Sequence, residues 1–599
     1  MSITSQKNTY TIKASAEPSE FVAPTTKYCK TKVMFDAEVG MDFIEHANKG
    51  TKDGKEYLVG LSHGSSPSGA YEYIFNNYSK INHPELVRYT CINSKLERQR
   101  GLTDVMDALA FLRKLISSQL IAKDQIIGRS LDRENMDAYR IGINKLLQQR
   151  LEELGKEGLD YVFVATDTNG LVAGITRRSK AFKSRDITVL VDDTSETELT
   201  YTPFFLKKSR RIAFLATKAE KRRPLAWLFY RWAKENESPS FLRFIDDVDE
   251  RMTVFIDDTA LTWPQVVLTR KTVFGDTTIR VDMAKPFKET DKKKKPVVLM
   301  IHGFLGLNTF DALLAFLPAT KYIAGAFHYG SIPYELPPKE FAQFVVDNIE
   351  HTVSYFGKLG HPVYIFDHSM ANTYMLMINR QMDDLPGISK YLKGRIACNP
   401  FFGREVKHTA LNFIDRVILK ANISTVDKAA MKSIRLSLPF YTKNAVRNNS
   451  IRFSSFLIKS DNALSDRIWT AIKQRVLFIV SDIDTLPELN KIPVEHTLGR
   501  LPVKIFAIQI QSTLRESKKN TNVKRLRGYE KNDIPILVLK SERDPVAKYV
   551  KSVYNNTNNV DVIDITNHKE RDLFKEHLFY MTRPKMTINI IEQFIKQNS

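Results

Sequence analysis

Two α/β domains in tandem are predicted, and three observations carry the prediction. Short apolar runs alternate with amphipathic segments along most of the chain. Gly/Ser-bearing turns follow several of these runs and lead into helical patterns. The alternation restarts near residue 265, and 599 residues are more than one hydrophobic core supports. Strands that alternate with helices build βαβ units and mainly parallel sheets.

Residues 1–30 read as a loose lead-in. The first domain is expected over 31–263. "EYLVGLS" is a strand that exits into a Gly/Ser turn and the helix "SGAYEYIFNNY". "NMDAYRIGINKLLQQRLEELG" is an amphipathic helix with a glycine stop. "LDYVFVAT", "RRIAFLAT" and "MTVFIDDTA" supply further strands, with helical "LAWLFYRWAK" between the last two. The second domain is expected over 265–599. "QVVLTRKTVFGDTTIRVDMAKPF" predicts a hairpin with a Gly-Asp turn. The charged run "DKKKKP" reads as a solvated loop inside this domain. Apolar strands follow at "PVVLMIHG", "KYIAGAFHY", "PVYIFDHS", "GRIACNP", "IPILVLKSE" and "VDVIDIT". A helical, basic insert at about 402–529 interrupts them. Its place late in an open sheet fits a cap over a site at the strand ends.

Composition is 43% hydrophobic and 26% charged, which excludes gross disorder. The formal net charge of +21 suits either an anionic partner or a solvated basic surface, and the second is the plainer reading. Cys29, Cys91 and Cys398 are odd in number and far apart, which argues for a reducing compartment. The N-terminal stretch lacks an apolar signal region, and "DALLAFLPATKYIAGAF" is too short and interrupted to span a bilayer. The expectation is a cytoplasmic protein without a transmembrane segment. No zinc-ligand pattern, basic-aromatic RNA motif or helix-turn-helix appears, so no metal, cofactor or nucleic-acid partner is expected.

"YIFDHSMANTYM" is a strand, a sharp turn and a helix, with Ser369 at the turn. The usual nucleophile turn is G-x-S-x-G; here Asp367 and Ala371 hold the flanking positions. A nucleophilic serine needs a base, an acid to orient it and donors for the oxyanion. "VVLMIHGFLG" ends a strand in a glycine turn, making the backbone N–H groups of Phe304 and Met370 candidate oxyanion donors. Asp544, just beyond "IPILVLK", is either the orienting acid or a helix N-cap. His568 and His577 both follow the last strand, and either is a candidate base. In the order "HGFLG", "DHSMAN", "SERDPVA" and "HLFYMTRP", residues 270–599 resemble the α/β-hydrolase family. In many members the histidine stands about seven residues before a proline that opens the last helix. The resemblance therefore implies Ser369 as nucleophile, Asp544 as acid and His577, seven residues before Pro584, as base.

In the first domain, "VGLSHGSSPSGAYEYI" reads as an anion cradle or as a plain strand-to-helix turn. Residues 31–263 resemble the glucosamine-6-phosphate deaminase and 6-phosphogluconolactonase family. The resemblance rests on "GLSHGSSPSGAY", "LDYVFVATDTNGLVAGI", "RRIAFLATKAEKRRPLAWLF" and "FIDDTA". It implies a phosphate loop at Ser62, His63, Gly64, Ser65 and Ser66, with Lys221 nearest the family's lysine. The family's D-G-H stands here as Asn169-Gly170-Leu171, Ser94 or Lys95 occupies the place of a further acid, and its glutamate falls near Thr176. Neither Asn nor Leu can move a proton as Asp and His do.

These residues support a serine hydrolase acting on a small-molecule carboxylic ester or thioester, fused to a non-catalytic domain that binds a sugar phosphate or serves as a scaffold. A regulatory protein built from two inactive enzyme domains is the alternative. A sugar-phosphate isomerase or lactonase with altered catalytic residues is the second.

Overall fold

Runs such as "YLVGL", "RIAFLA", "VVLMI" and "VYIFDH" hold no alternating polar face, and each folds as a strand buried on both sides. The computed structural model describes residues 2–4, 9–11, 25–95, 108–128, 135–176, 178–192, 198–229, 244, 251–290, 293–303, 310–333, 336–402, 432, 436, 503–520, 523, 525–544, 554, 557–567 and 576–599. The chain forms two units, Pro18–Trp263 and, with Met1–Glu17, Pro264–Ser599. Strands β1 (Ser2–Thr4) and β2 (Thr9–Thr11) pair as an antiparallel ribbon.

The unit Pro18–Trp263 contains β3 (Thr25–Cys29), β4 (Tyr57–Leu61), β5 (Val87–Cys91), β6 (Asn93–Lys95), β7 (Tyr161–Ala165), β8 (Thr188–Val191), β9 (Glu198–Tyr201), β10 (Arg211–Ala216) and β11 (Met252–Asp257). Six of them make a parallel sheet in the order β3-β11-β10-β7-β4-β5. A second, antiparallel sheet has the order β6-β9-β8. The helix Met136–Leu154 starts where the Asn135 side chain accepts from the Ala138 N–H and stops at Gly155, whose φ of +62° a side chain would resist. The expected lead-in over 1–30 is corrected at β3, which pairs with β11. "TTKYC" is short and buries only Cys29, so an edge strand of this kind has no apolar pattern to announce it.

The other unit contains β12 (Gln265–Thr272), β13 (Gly275–Met283), β14 (Val297–Ile301), β15 (Ile323–Phe327), β16 (Val363–His368), β17 (Leu392–Cys398), β18 (Ile536–Lys540) and β19 (Val560–Asp564). They form one sheet in the order β12-β13-β15-β14-β16-β17-β18-β19, parallel from β15 to β19. The hairpin turn lies at Val273-Phe274, with Thr272 opposite Gly275, and not at Gly275-Asp276 as expected. The Thr272 hydroxyl holds that turn by accepting from the Phe274 N–H at 3.1 Å. Phe356, Ile365, Met375 and Val538 share one core against the sheet. Of the expected cap at 402–529, most lies outside the described residues; Val503–Asn520 within it is a helix. Among the described residues no helix is long and apolar enough to cross a membrane.

Candidate functional site

The parallel pairing of β14, β16, β17 and β18 brings their carboxyl ends to one edge of the sheet. His302, Ser369, Asn399 and Ser541 each begin the exit from one of these strands. This is where open α/β sheets place their ligand sites.

Ser369 is buried and has φ +54°. A left-handed backbone at a non-glycine residue is costly, and it turns the side chain out of the strand direction. Gly303 makes room for the turn. A Cβ placed on it would lie 2.7 Å from the His368 carbonyl oxygen, 3.0 Å from the Ser369 Cβ and 3.1 Å from the Met370 nitrogen. The exit of β14 thus runs directly beside the Met370 amide. Phe304, the other expected oxyanion donor, lies outside the described residues, as does His568.

His577 Nδ1 lies 2.6 Å from Asp544 Oδ2, and Asp544 is fully buried. A carboxylate only accepts, so Nδ1 carries the hydrogen, which makes Nε2 the basic nitrogen of the neutral ring. The main chain of His577 is held from two sides. His368 Nε2 donates to its carbonyl at 3.1 Å, and Asn399 Nδ2 does so at 3.2 Å. The His368 and His577 rings are 4.6 Å apart at their centroids. Burial, with His577 beside it, drives the His368 imidazole well below its ordinary pKa. Burial, reinforced by His328, pushes His302 down to about 3. Both rings are therefore neutral, and neither adds a cation to the site.

Asp367 does not disrupt the turn. Its carboxylate receives two bonds from Arg395 on β17, Nε to Oδ1 at 2.7 Å and Nη2 to Oδ2 at 2.9 Å. Both side chains are fully buried. Burial alone would lower the Arg395 pKa; Asp367, with Tyr554 and Tyr529, carries it above the ordinary value instead. Arg395 escaped the sequence reading, although an arginine inside the apolar run "GRIAC" was a signal that an acid must lie near. Asn399 and Glu576 escaped it too. Asn399 has φ +42° and ties β18 to the histidine segment, accepting from the Ser541 N–H at 2.9 Å and donating to the Glu576 carbonyl at 3.0 Å. The buried Glu576 carboxylate receives Arg583 at 2.9 Å and the Asn567 N–H at 3.2 Å.

The unit Pro18–Trp263 has its own strand-exit edge, where β4 runs into Ser62–Ser66 and β10 into Thr217. Ser62 and Ser66 are buried, His63 and Ser65 are half-buried, and Gly64 is exposed with φ +114°. Lys221 is buried and its Nζ donates to Ser66 Oγ at 2.5 Å; Ser66 Oγ is 3.3 Å from Thr217 Oγ1. Burial pushes the Lys221 ammonium down to about 8, against the pull of Asp167. Asn169-Gly170-Leu171 forms a tight turn in which Asp167 Oδ1 accepts from the Asn169 and Leu171 N–H groups at 2.8 and 2.7 Å. Ser94 and Lys95 belong to β6, with Lys95 opposite Glu198 of β9. Glu198 is a buried carboxylate that sequence reasoning missed. It lies against Gly174, where a Cβ would stand 2.4 Å from its Oε2. "SETELTY" gave no sign of this, because the burial comes from the sheet pairing.

No family model matches the chain, and no curated protein is similar to it. Among solved structures, a monomeric glucosamine-6-phosphate deaminase is similar at 15% identity, over 39% of this chain and 98% of that protein, with a TM-score of 0.32. The 6-phosphogluconolactonase of Trypanosoma brucei is similar at 16% identity, over 40% and 97%, with a TM-score of 0.33. That of Leishmania guyanensis is similar at 17% identity, over 40% and 98%, with a TM-score of 0.32. The matched share is the N-terminal part of the chain.

Proposed function

We propose that residues 264–599 are a cytoplasmic serine hydrolase of the α/β-hydrolase fold, cleaving a carboxylic ester or thioester of a small molecule. One observation carries the reading: Ser369 stands at positive φ on a strand exit, beside Gly303, in the same sheet edge as a His577–Asp544 pair bonded at 2.6 Å. Ser369 Oγ attacks the carbonyl carbon, and His577 Nε2 takes the hydroxyl proton. Asp544 keeps the hydrogen on Nδ1 and stabilises the imidazolium. The tetrahedral oxyanion is held by the Met370 N–H and by that of Phe304. Collapse expels the alcohol or thiol, which takes the proton back from His577. Water then releases the acid by the same steps.

In this reading residues 18–263 do not catalyse the deaminase or lactonase reaction, because Asn169 and Leu171 stand where proton transfer requires an acid and a base. Ser62–Ser66 and Lys221 serve instead to hold the phosphate of a sugar phosphate. A fluorophosphonate probe tests the hydrolase. Labelling that disappears in Ser369→Ala supports it, and a folded wild-type protein that takes no label sinks it, leaving a binding protein with two inactive domains. Turnover of glucosamine 6-phosphate or 6-phosphogluconolactone would overturn the non-catalytic assignment of the N-terminal unit.

A further inference from the structure

We infer that Arg395 is the positioning residue of the Ser369 turn, gripping the chain on both sides of the serine and so keeping its backbone at positive φ. The inference rests on the reading of Ser369 as nucleophile. Arg395 reaches back to Asp367, two residues before the serine, through the bidentate pair at 2.7 and 2.9 Å. The same Nη2 donates to Asn372 Oδ1 at 2.6 Å, three residues after the serine. Asn372 passes the hold onward. Its Nδ2 donates to the Phe401 carbonyl at 2.8 Å, and the Phe401 N–H donates to the Ser369 carbonyl at 3.0 Å. Two routes therefore run from one guanidinium to the serine backbone, one from each flank. Asp367, Asn372 and Arg395 are fully buried, Phe401 and Ser369 nearly so.

The chemistry of the side chain matters here. A planar fork can serve Asp367 and Asn372 together in fixed directions, whereas a lysine ammonium is a single point on a flexible stem. The Tyr529 ring lies 5.5 Å from the guanidinium carbon, and Tyr554 donates to Asn372 Oδ1 at 3.4 Å, so the grip is enclosed. Strained backbone persists only where its surroundings over-determine it. Small flanking residues achieve that by close packing; here hydrogen bonds to a charged flank take over.

Hydrogen exchange on the full chain, read by mass spectrometry, tests the grip directly. Arg395→Lys is expected to raise exchange of the 367–372 amides at least tenfold while leaving the helix Phe341–Lys358 unchanged. In the same variant, fluorophosphonate labelling of Ser369 slows at least tenfold with the folded fraction matched. Asp367→Asn, isosteric and keeping one acceptor, shifts both readings the same way by less, and it replaces Arg395→Lys if that variant does not fold. Wild-type exchange at 367–372 in a folded variant overturns the inference. An increase shared equally by Phe341–Lys358 also overturns it, since that marks a general structural role. The exchange arm does not depend on activity: a wild-type protein without labelling sinks the hydrolase reading and still leaves exchange to decide Arg395.

Discussion

Each unit ends a buried central strand in a serine-bearing turn, yet the two turns are built differently. Ser66 sits with its hydroxyl engaged by the buried Lys221, in a turn whose positive φ falls on Gly64 and not on the serine, while the turn at Asn169-Gly170-Leu171 is closed by Asp167. Ser369 keeps a strained backbone, a buried ion pair at its flank and an acid–histidine pair at the same sheet edge. A non-glycine residue at positive φ costs on the order of 1–3 kcal/mol. Positive φ is not confined to this turn, since Lys218 at φ +78° and Ala173 at φ +50° lie in the other unit; what sets Ser369 apart is the hydrogen bonding around it. The two turns thus differ in what holds them, a buried lysine on a serine hydroxyl in one and a buried ion pair beside a strained serine in the other.

The comparison breaks first at Asp544. Asp544→Asn should cut the fluorophosphonate labelling rate by about 10⁴-fold, because the amide no longer fixes the hydrogen on Nδ1. A folded Asp544→Asn protein within tenfold of wild type removes Asp544 as the orienting acid. The next largest effect is on stability. Arg395→Met leaves Asp367 buried and unpaired, which costs about 3–5 kcal/mol in a urea titration of the C-terminal unit. Asp367→Leu in the same chain should recover most of it, and a double variant no better than the single would show that the pair is not the source. Gly303→Ala probes the oxyanion edge. Its Cβ would stand 2.7 Å from the His368 carbonyl, which must shift, so labelling should fall about 10²-fold and stability by about 1–3 kcal/mol.

The smallest effect sharpens the other turn. Lys221 is held at about 8 in the folded unit, below its ordinary 10.5. Between these values the unfolded chain binds the proton and the folded chain does not. Stability of the N-terminal unit should therefore rise with pH from about 8 to 10.5, by up to about 3 kcal/mol, with the penalty fully present below pH 8. Trp227 and Trp263 are buried in this unit, so their fluorescence reports its urea midpoint. Lys221→Met should flatten the rise; an unchanged slope would mean that Lys221 is not its origin.

Much of this was legible in the residues. The apolar runs at Tyr57–Leu61 and Val297–Ile301, and the run Val363–Phe366 that leads into Asp367, read as strands buried on both faces, and Ser369 and Asp544 stood just past such strands. Asn135 and Gly155 bounded their helix by local chemistry alone. Other features had no local signal. Thr25–Cys29 is a strand only because β11 offers its edge, and Glu198 is buried only because β6 and β8 flank its strand.

Local periodicity and turn chemistry act within a few residues, and they determined the strands, the helices and the order of the candidate groups. The tolerance of Asp367 was decided elsewhere. Its partner stands 28 residues later on the neighbouring strand, and parallel pairing of β16 with β17 is what brings the two together. The place of His577 was decided in the same way, by a carboxylate 33 residues earlier and by His368 and Asn399 beneath its main chain. Burial gives these bonds their strength, and burial exists only once the sheet has assembled.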